Sequence, residues 1–253
     1  MIELDAAEVT AWSPDPAGGP DRVVRLLGPV SLRLSERHVA VVGANGSGKS
    51  TLARLLNGLV LPSAGRVRVD GLDTATDGPA VRRRVGFVFT DPDAQIVMPT
   101  PVEDVALSLR RTVPDARERE ARALEALARY GLADRAHVSV HALSGGQRQL
   151  LALAAVLATE PAVLVCDEPT TLLDLRWRTH VDTLLASLPQ QVVVVTHDLE
   201  AAARADRVVV VDDGLVVADD EPGPALARYR ALMGTVPPSP GADRAGRAPA
   251  GAS

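Results

Sequence analysis

The chain has 253 residues, 46% of them hydrophobic, with a formal charge of -5 at pH 7 and one cysteine, enough for one large α/β domain or two small ones. The acidic balance gives no overall basic field for a nucleic-acid partner, and a lone cysteine, Cys166, cannot form an internal disulfide. The densest apolar run, LLALAAVLA at 150–158, is too short to span a bilayer, and the acidic start MIELDAAEV does not read as a signal peptide.

In chain order, HVAVV at 38–42 reads as a buried strand that runs into the glycine-rich stretch GANGSGKST, 43–51. A helix is expected from Lys49 to Asn57, with Gly58 as its stop. Further strands are expected at 66–69, 85–89, 162–166, 191–196 and 207–212. The pair Asp213-Gly214 should turn the last of these into a hairpin with LVVA. From about 91 to 145 the apolar spacing becomes helical, which predicts an inserted helical subdomain within a domain spanning 1–234. The end, 235–253, is rich in Pro, Gly and Ala without aliphatic periodicity and is expected to be a disordered tail.

Of 27 basic residues only Lys49 is lysine. It lies in a G-x-x-x-x-G-K-[ST] pattern made by Gly43, Gly48, Lys49 and Ser50. Such a loop, here also holding Asn45, Gly46, Ser47 and Thr51, curls backbone N–H groups around phosphate oxygens at a helix N-terminus. The lysine reaches the β- and γ-phosphates as a compact point charge, where a guanidinium would be too wide, and the Ser50 hydroxyl ligates Mg²⁺. AVLVCDEPT, 162–170, is an apolar strand ending in two carboxylates: Asp167 is placed to hold Mg²⁺ and Glu168 to deprotonate a water attacking the γ-phosphate. His197 ends another apolar strand and should face the same sheet edge. LSGGQ, 143–147, opens a helix as a second anion-binding terminus. One domain would hardly aim two such loops at one phosphate, so this one is expected to meet a nucleotide on another copy. His38, His137, His141 and His180 have no metal-ligand spacing, and Cys166 is expected to pack in the core.

GANGSGKST, LSGGQ, CDEPT and VTHD occur in the order, and near the spacings, of the ATP-binding cassette ATPases, which the chain resembles up to about residue 230. The resemblance implies a P-loop α/β core of RecA-like mixed sheet with flanking helices, an N-terminal antiparallel β part and the helical insert. It implies that Trp12 stacks on adenine, that Asp174 links the two active sites of a dimer, and that His197 contacts the γ-phosphate. Ser144, Gly145, Gly146 and Gln147 would close over ATP held by a second subunit, identical or paralogous. Closure and reopening would drive integral membrane coupling and substrate-binding subunits from the cytoplasmic face of the membrane. Where the family usually has a glutamine near the metal and the attacking water, this chain has Thr90. TDPDAQIVMPTPVEDVAL, 90–107, is similar to the energy-coupling-factor importer ATPases for biotin, cobalt or nickel, through Pro92, Asp93, Gln95, Pro99, Thr100, Glu103, Asp104 and Val105. The alternatives are a soluble cassette ATPase acting on ribosomes or DNA, which usually carries features absent here, and a weakly hydrolysing regulatory subunit, against which Glu168 stands.

Overall fold

The strands β1 (Ile2–Ser13), β2 (Arg22–Leu34), β3 (His38–Val42), β4 (Ala64–Val69), β5 (Leu72–Asp73), β6 (Val85–Val88), β7 (Val163–Asp167), β8 (Gln191–Val195), β9 (Arg207–Asp212) and β10 (Leu215–Asp220) form two sheets. They are seen in a computed structural model that describes residues 1–14, 19 and 21–234; the expected tail at 235–253 lies outside the described residues. Strands β3, β6, β7, β8 and β9 are runs of aliphatic residues with almost no polar interruption. Such runs are stable only in a sheet covered on both faces. They pair in parallel in the order β9-β3-β8-β7-β6, and β10 adds an antiparallel edge beside β9. The expected turn between β9 and β10 is present, with positive φ at both Asp213 and Gly214, the geometry that matches strand twist in a tight hairpin.

Side-chain alternation divides this sheet between cores. Val39, Val41, Val163, Val165, Val193, Val195, Val209 and Val211 face a core shared with the antiparallel sheet β2-β1-β4-β5 and with α1 (Lys49–Leu56). Leu164, Cys166 and Val192 face a second core, built with α3 (Pro101–Leu109), α4 (Ala116–Arg129), α5 (Gly145–Leu157) and α6 (Leu175–Ser187). Ala40, Val42, Val208 and Val210 close a smaller third core with α7 (Leu199–Ala202) and α8 (Pro222–Gly234). α2 (Gly78–Arg84), between β5 and β6, ends in Arg82, Arg83 and Arg84, the last of which pairs with Asp70 at 3.0 Å.

Between β6 and β7 the regular elements are all helical: α3, α4 and α5, with short 3₁₀ turns such as Pro92–Ala94. α3 starts in a capping box of Thr100 and Glu103, and α4 on the Asp115 side chain, which accepts from Glu118 N–H at 2.8 Å, so each helix start is capped by a neighbouring side chain. Asp104, 5% exposed, accepts from the N–H groups of Val97 at 2.9 Å and Met98 at 3.1 Å, which ties the loop before α3 to the helix. Burial holds the pKa of this carboxyl above its ordinary value, against those two hydrogen bonds. The folded protein therefore keeps the Asp104 proton to higher pH than the unfolded chain, and its contribution to stability falls as pH rises from about 4 through the raised value. Asp104→Asn, which removes the titration, should gain relative to the native protein as urea unfolding is repeated from pH 4 to 7; parallel pH curves for the two proteins would exclude this role.

The strand order has one consequence for function. β3, β8, β7 and β6 are neighbours running in the same direction, so the segments leaving their carboxyl ends emerge side by side. Those segments begin with Gly43, Thr196-His197, Glu168 and Phe89-Thr90. In an open α/β sheet this edge is where ligands bind.

Candidate functional site

The loop from β3 to α1 is held by close backbone packing. A Cβ at Gly43 would overlap the carbonyl oxygen of Val211 and lie 2.7 Å from Ser47 Oγ. Gly48, at φ 103°, is pressed against Leu26, whose carbonyl oxygen would lie 2.8 Å from a Cβ there. The hairpin turn supports the loop from behind: Gly214 N–H donates to Ser47 O at 2.9 Å, and Gly28 N–H to Gly214 O at 2.6 Å. Gly46 faces open space, leaving that side of the loop clear for a ligand.

Lys49 is 5% exposed, and its Nζ donates to Gly43 O at 2.9 Å and Ala44 O at 2.8 Å. Burial lowers its pKa, while the carboxylates of Glu168 and Asp167 pull it back up. A buried ammonium resting on two neutral carbonyls is under-compensated, and phosphate oxygens are stronger partners for it.

Asp167 ends β7 at 2% exposure and receives the Ser50 hydroxyl on Oδ1 at 2.9 Å. Burial raises its pKa, opposed first by the Ser50 hydrogen bond and then by Arg54, whose Nη2 is 3.9 Å away. Thr90 Oγ1 donates to the backbone carbonyl of Asp167 at 2.7 Å, so its oxygen lone pairs remain available to a water. Gln95 lies against the start of the segment leaving β6, its Oε1 accepting from Phe89 N–H at 3.2 Å.

Glu168 has φ 51°, in the left-handed region, where a non-glycine residue costs about 1–3 kcal/mol. Its N–H reaches across to Val195 O at 3.0 Å, so the turn is fixed to the end of β8. The carboxylate accepts from Thr171 Oγ1 at 2.9 Å, and its Oε2 lies 3.4 Å from Nδ1 of His197, which is half exposed. Strained backbone held by neighbouring elements at the exit of a core strand is the arrangement by which active sites aim a side chain. Lys49, Ser50, Thr90, Asp167, Glu168 and His197 thus form one connected cluster: a cation, hard oxygens, and a carboxylate beside an imidazole.

Ser144, Gly145, Gly146 and Gln147 lie elsewhere, at the start of α5. Ser144 Oγ accepts from Gln147 N–H at 3.3 Å and Gln147 Oε1 accepts from Ser144 N–H at 2.9 Å, a capping box. The N–H groups of Gly145 and Gly146 are left free among the described residues. No hydrogen bond or ion pair among the described residues joins this turn to the 43–51 loop. Asp174 caps α6, accepting from Trp177 N–H at 3.0 Å, between two exposed leucines, Leu172 and Leu175. Trp12 stands 73% exposed near the end of β1, opposite Val23 of β2.

Sequence reasoning missed several supporting groups. Arg54 and Thr171 sit beside Asp167 and Glu168, and Gly214 buttresses the 43–51 loop across most of the chain. Arg54, four residues after Ser50 on α1, could have been found from helical spacing; the other contacts cross between elements and carry no local signal.

The profile of the ABC transporter family matches residues 27–171. The biotin transport ATP-binding protein BioM of Rhizobium etli is 45% identical over 206 residues, spanning 81% of this chain and 92% of that protein. The energy-coupling factor transporter ATP-binding protein EcfA1 of Symbiobacterium thermophilum is also 45% identical, over 210 residues, spanning 79% of this chain and 73% of that protein. Among solved structures, the dimeric post-hydrolysis state of the ATP-binding cassette MJ0796 bound to ADP and Pi matches with a TM-score of 0.76 at 31% identity, over 87% of this chain and 98% of that one. With its phosphate loop, paired acidic residues and histidine gathered at one sheet edge, the chain belongs to the ABC transporter family, as an ATP-binding subunit whose hydrolysis of ATP is coupled to transport.

Proposed function

We propose that the chain is the peripheral, cytoplasmic ATPase subunit of a membrane importer for a vitamin or transition-metal ion of the biotin, cobalt or nickel class. Residues 1–234 act as one ATPase domain with the helical insert at about 91–145. The reading is carried by one observation: the cluster around Lys49, Asp167 and Glu168 is complete for phosphate chemistry, while the free N–H groups of Gly145 and Gly146 point to a phosphate the same chain does not offer them. A second ATPase subunit, identical or paralogous, supplies that phosphate, so ATP is bound between two subunits. The two relatives above act in biotin transport and in energy-coupling-factor transport, which favours this substrate class. No helix among the described residues is long and apolar enough to cross a membrane, so separate membrane subunits carry the substrate and its pathway.

The residues at the sheet edge fit Mg²⁺. Ser50 Oγ and Asp167 Oδ1, 2.9 Å apart, are hard oxygen donors. No group of three or more His, Cys, Asp or Glu among the described residues could hold a metal. Two protein oxygens, with water and phosphate for the rest, is the usual provision for this ion. When bound, it neutralises phosphate charge. Lys49 and the N–H groups of the loop containing Asn45, Gly46, Ser47, Gly48, Ser50 and Thr51 bind the β- and γ-phosphates. Trp12 stacks on the adenine. Glu168 takes the proton of the attacking water, and His197, which touches the Glu168 carboxylate, reaches the γ-phosphate. Ser144 to Gln147 of one subunit and the Asp174 loop complete the site of the other. ATP holds the two subunits closed, and hydrolysis releases them.

Thr90 modifies the link to the membrane partner. Its hydroxyl is bonded to the Asp167 backbone, whereas a glutamine there would extend past it. Thr90→Gln should change the ratio of partner-stimulated to basal turnover by about fivefold or more; an unchanged ratio would mean that this position takes no part in coupling. The reading as a whole is tested by extracting the tagged chain from native membranes in mild detergent and identifying what co-purifies by mass spectrometry. A small, very hydrophobic substrate-binding protein together with one coupling membrane protein supports it. Recovery with ribosomal proteins, or with no membrane protein, leaves only the ATP chemistry.

A further inference from the structure

We propose that Trp177 is a positioning residue for the phosphate-clamping turn 144–147, a role that rests on the dimer reading above. The two glycines of that turn differ. A Cβ at Gly145 would meet nothing within 4 Å, so that side of the turn is open to a ligand. A Cβ at Gly146 would overlap Cδ2 and Cγ of Trp177 and lie 2.6 Å from its Cε2. The place of the missing side chain is therefore filled from behind by the indole ring. Gly146 is the second residue of α5, and its N–H is one of the two left free by the capping box. The ring thus packs directly against the residue that carries this donor.

The ring is itself held. The indole meets His180 edge to face, with centroids 5.9 Å apart at 89°, and the backbone N–H of Trp177 donates to Asp174 Oδ1 at 3.0 Å, which fixes the residue at the start of α6. The pair is three residues apart on α6, where such rings are neighbours. One residue thus joins the two segments: its backbone N–H is tied to Asp174 at the start of α6, and its ring packs on the turn that clamps phosphate at the start of α5. A shift of the Asp174 loop on dimer closure is passed to Gly146 through a rigid ring, without a hydrogen bond between the two segments.

The test is a cycle of Gly146→Ala, Trp177→Leu and the double variant in the full chain, with Trp177→Phe as the conservative control. Each is measured for kcat, KM for ATP and thermal midpoint. A methyl group at 146 should collide with the indole, displacing the turn by a fraction of the distance that costs about 100-fold in rate. Gly146→Ala is expected to lower both kcat and the midpoint. Trp177→Leu should lower kcat by about tenfold with KM within about twofold, because the clamp acts on the closed state and not on ATP bound to the 43–51 loop of an open subunit. Trp177→Phe, which keeps a flat ring, should restore most of kcat. In the double variant the methyl group has room, so the added cost of Gly146→Ala in both rate and midpoint should largely disappear. If the losses multiply in the double variant, or if Trp177→Leu turns over like the native protein, Trp177 does not set the turn. The midpoints test the steric contact without reference to turnover. A native protein that hydrolyses no ATP would overturn the ATPase reading itself, a failure distinct from this one.

Discussion

Glu168→Gln is expected to reduce ATP turnover by about 10² to 10⁴ while leaving ATP binding and folding intact. The amide keeps the shape and the acceptor oxygen that Thr171 Oγ1 uses at 2.9 Å, and the backbone hydrogen bond from Glu168 N–H to Val195 O is unaffected. What it loses is the negative charge and basicity of that same carboxylate oxygen, which also lies 3.4 Å from His197 Nδ1. Binding at Lys49 and Ser50 does not depend on that oxygen, so ATP affinity should change little. Because hydrolysis is the step that reopens the dimer in this reading, the variant should accumulate as an ATP-bound dimer, visible as a larger species by size exclusion with light scattering. Turnover within a few-fold of the native protein would remove Glu168 as the base and transfer that role to His197 or to a water held by Asp167. Normal ATP affinity with no dimer would instead retain the base and count against closure between two copies.

Much of this site was legible because its parts are written in contiguous residues. The strands leading to it are unbroken aliphatic runs, and such runs have few places to go except a sheet buried on both faces. Lys49 stood out because the chain uses arginine at its 26 other basic positions. The turn at Asp213-Gly214 was legible for a similar reason, since those two residues tolerate positive φ. Other features were not readable, for physical reasons. β1 and β2 carry several polar residues and pair with register shifts between Leu4 and Ala7 and again to Thr10, which break the period-2 pattern that identifies a strand. The left-handed backbone of Glu168, whose N–H is bonded to Val195 O at the end of β8, carries no signal in the residue type itself. The packing of Trp177 on Gly146 joins positions 31 residues apart in sequence. Gly146 was recognisable as a donor in a helix-opening turn, but its second use, as a socket for an aromatic ring, follows only from the way α5 and α6 pack.

Lys49→Arg is expected to reduce turnover by at least about 10²-fold, comparable to removing a preorganised donor from a developing oxyanion. The charge is kept, so the loss measures shape. Lys49 is 5% exposed and its Nζ lies 2.9 Å and 2.8 Å from the carbonyls of Gly43 and Ala44, a space bounded by the backbone of a loop that cannot widen. Gly43 is already against the carbonyl of Val211, and Gly48 against that of Leu26. A guanidinium is a planar fork, more extended than an ammonium and unable to present its donors from a single point. It would have to displace the loop or leave the space where phosphate oxygens sit. Burial also favours a lysine here: desolvation lowers its pKa while Glu168 and Asp167 raise it, and a compact ammonium can exchange the Gly43 and Ala44 carbonyls for phosphate oxygens by a small rotation of its stem. Lys49→Ala should lose activity to a similar degree, since both changes remove the point charge from the phosphate position. The informative comparison is ATP affinity measured by equilibrium binding. If Lys49→Arg binds ATP and turns it over within about threefold of the native protein, positive charge alone is sufficient, and the single lysine in a chain of arginines has no explanation in the shape of this loop.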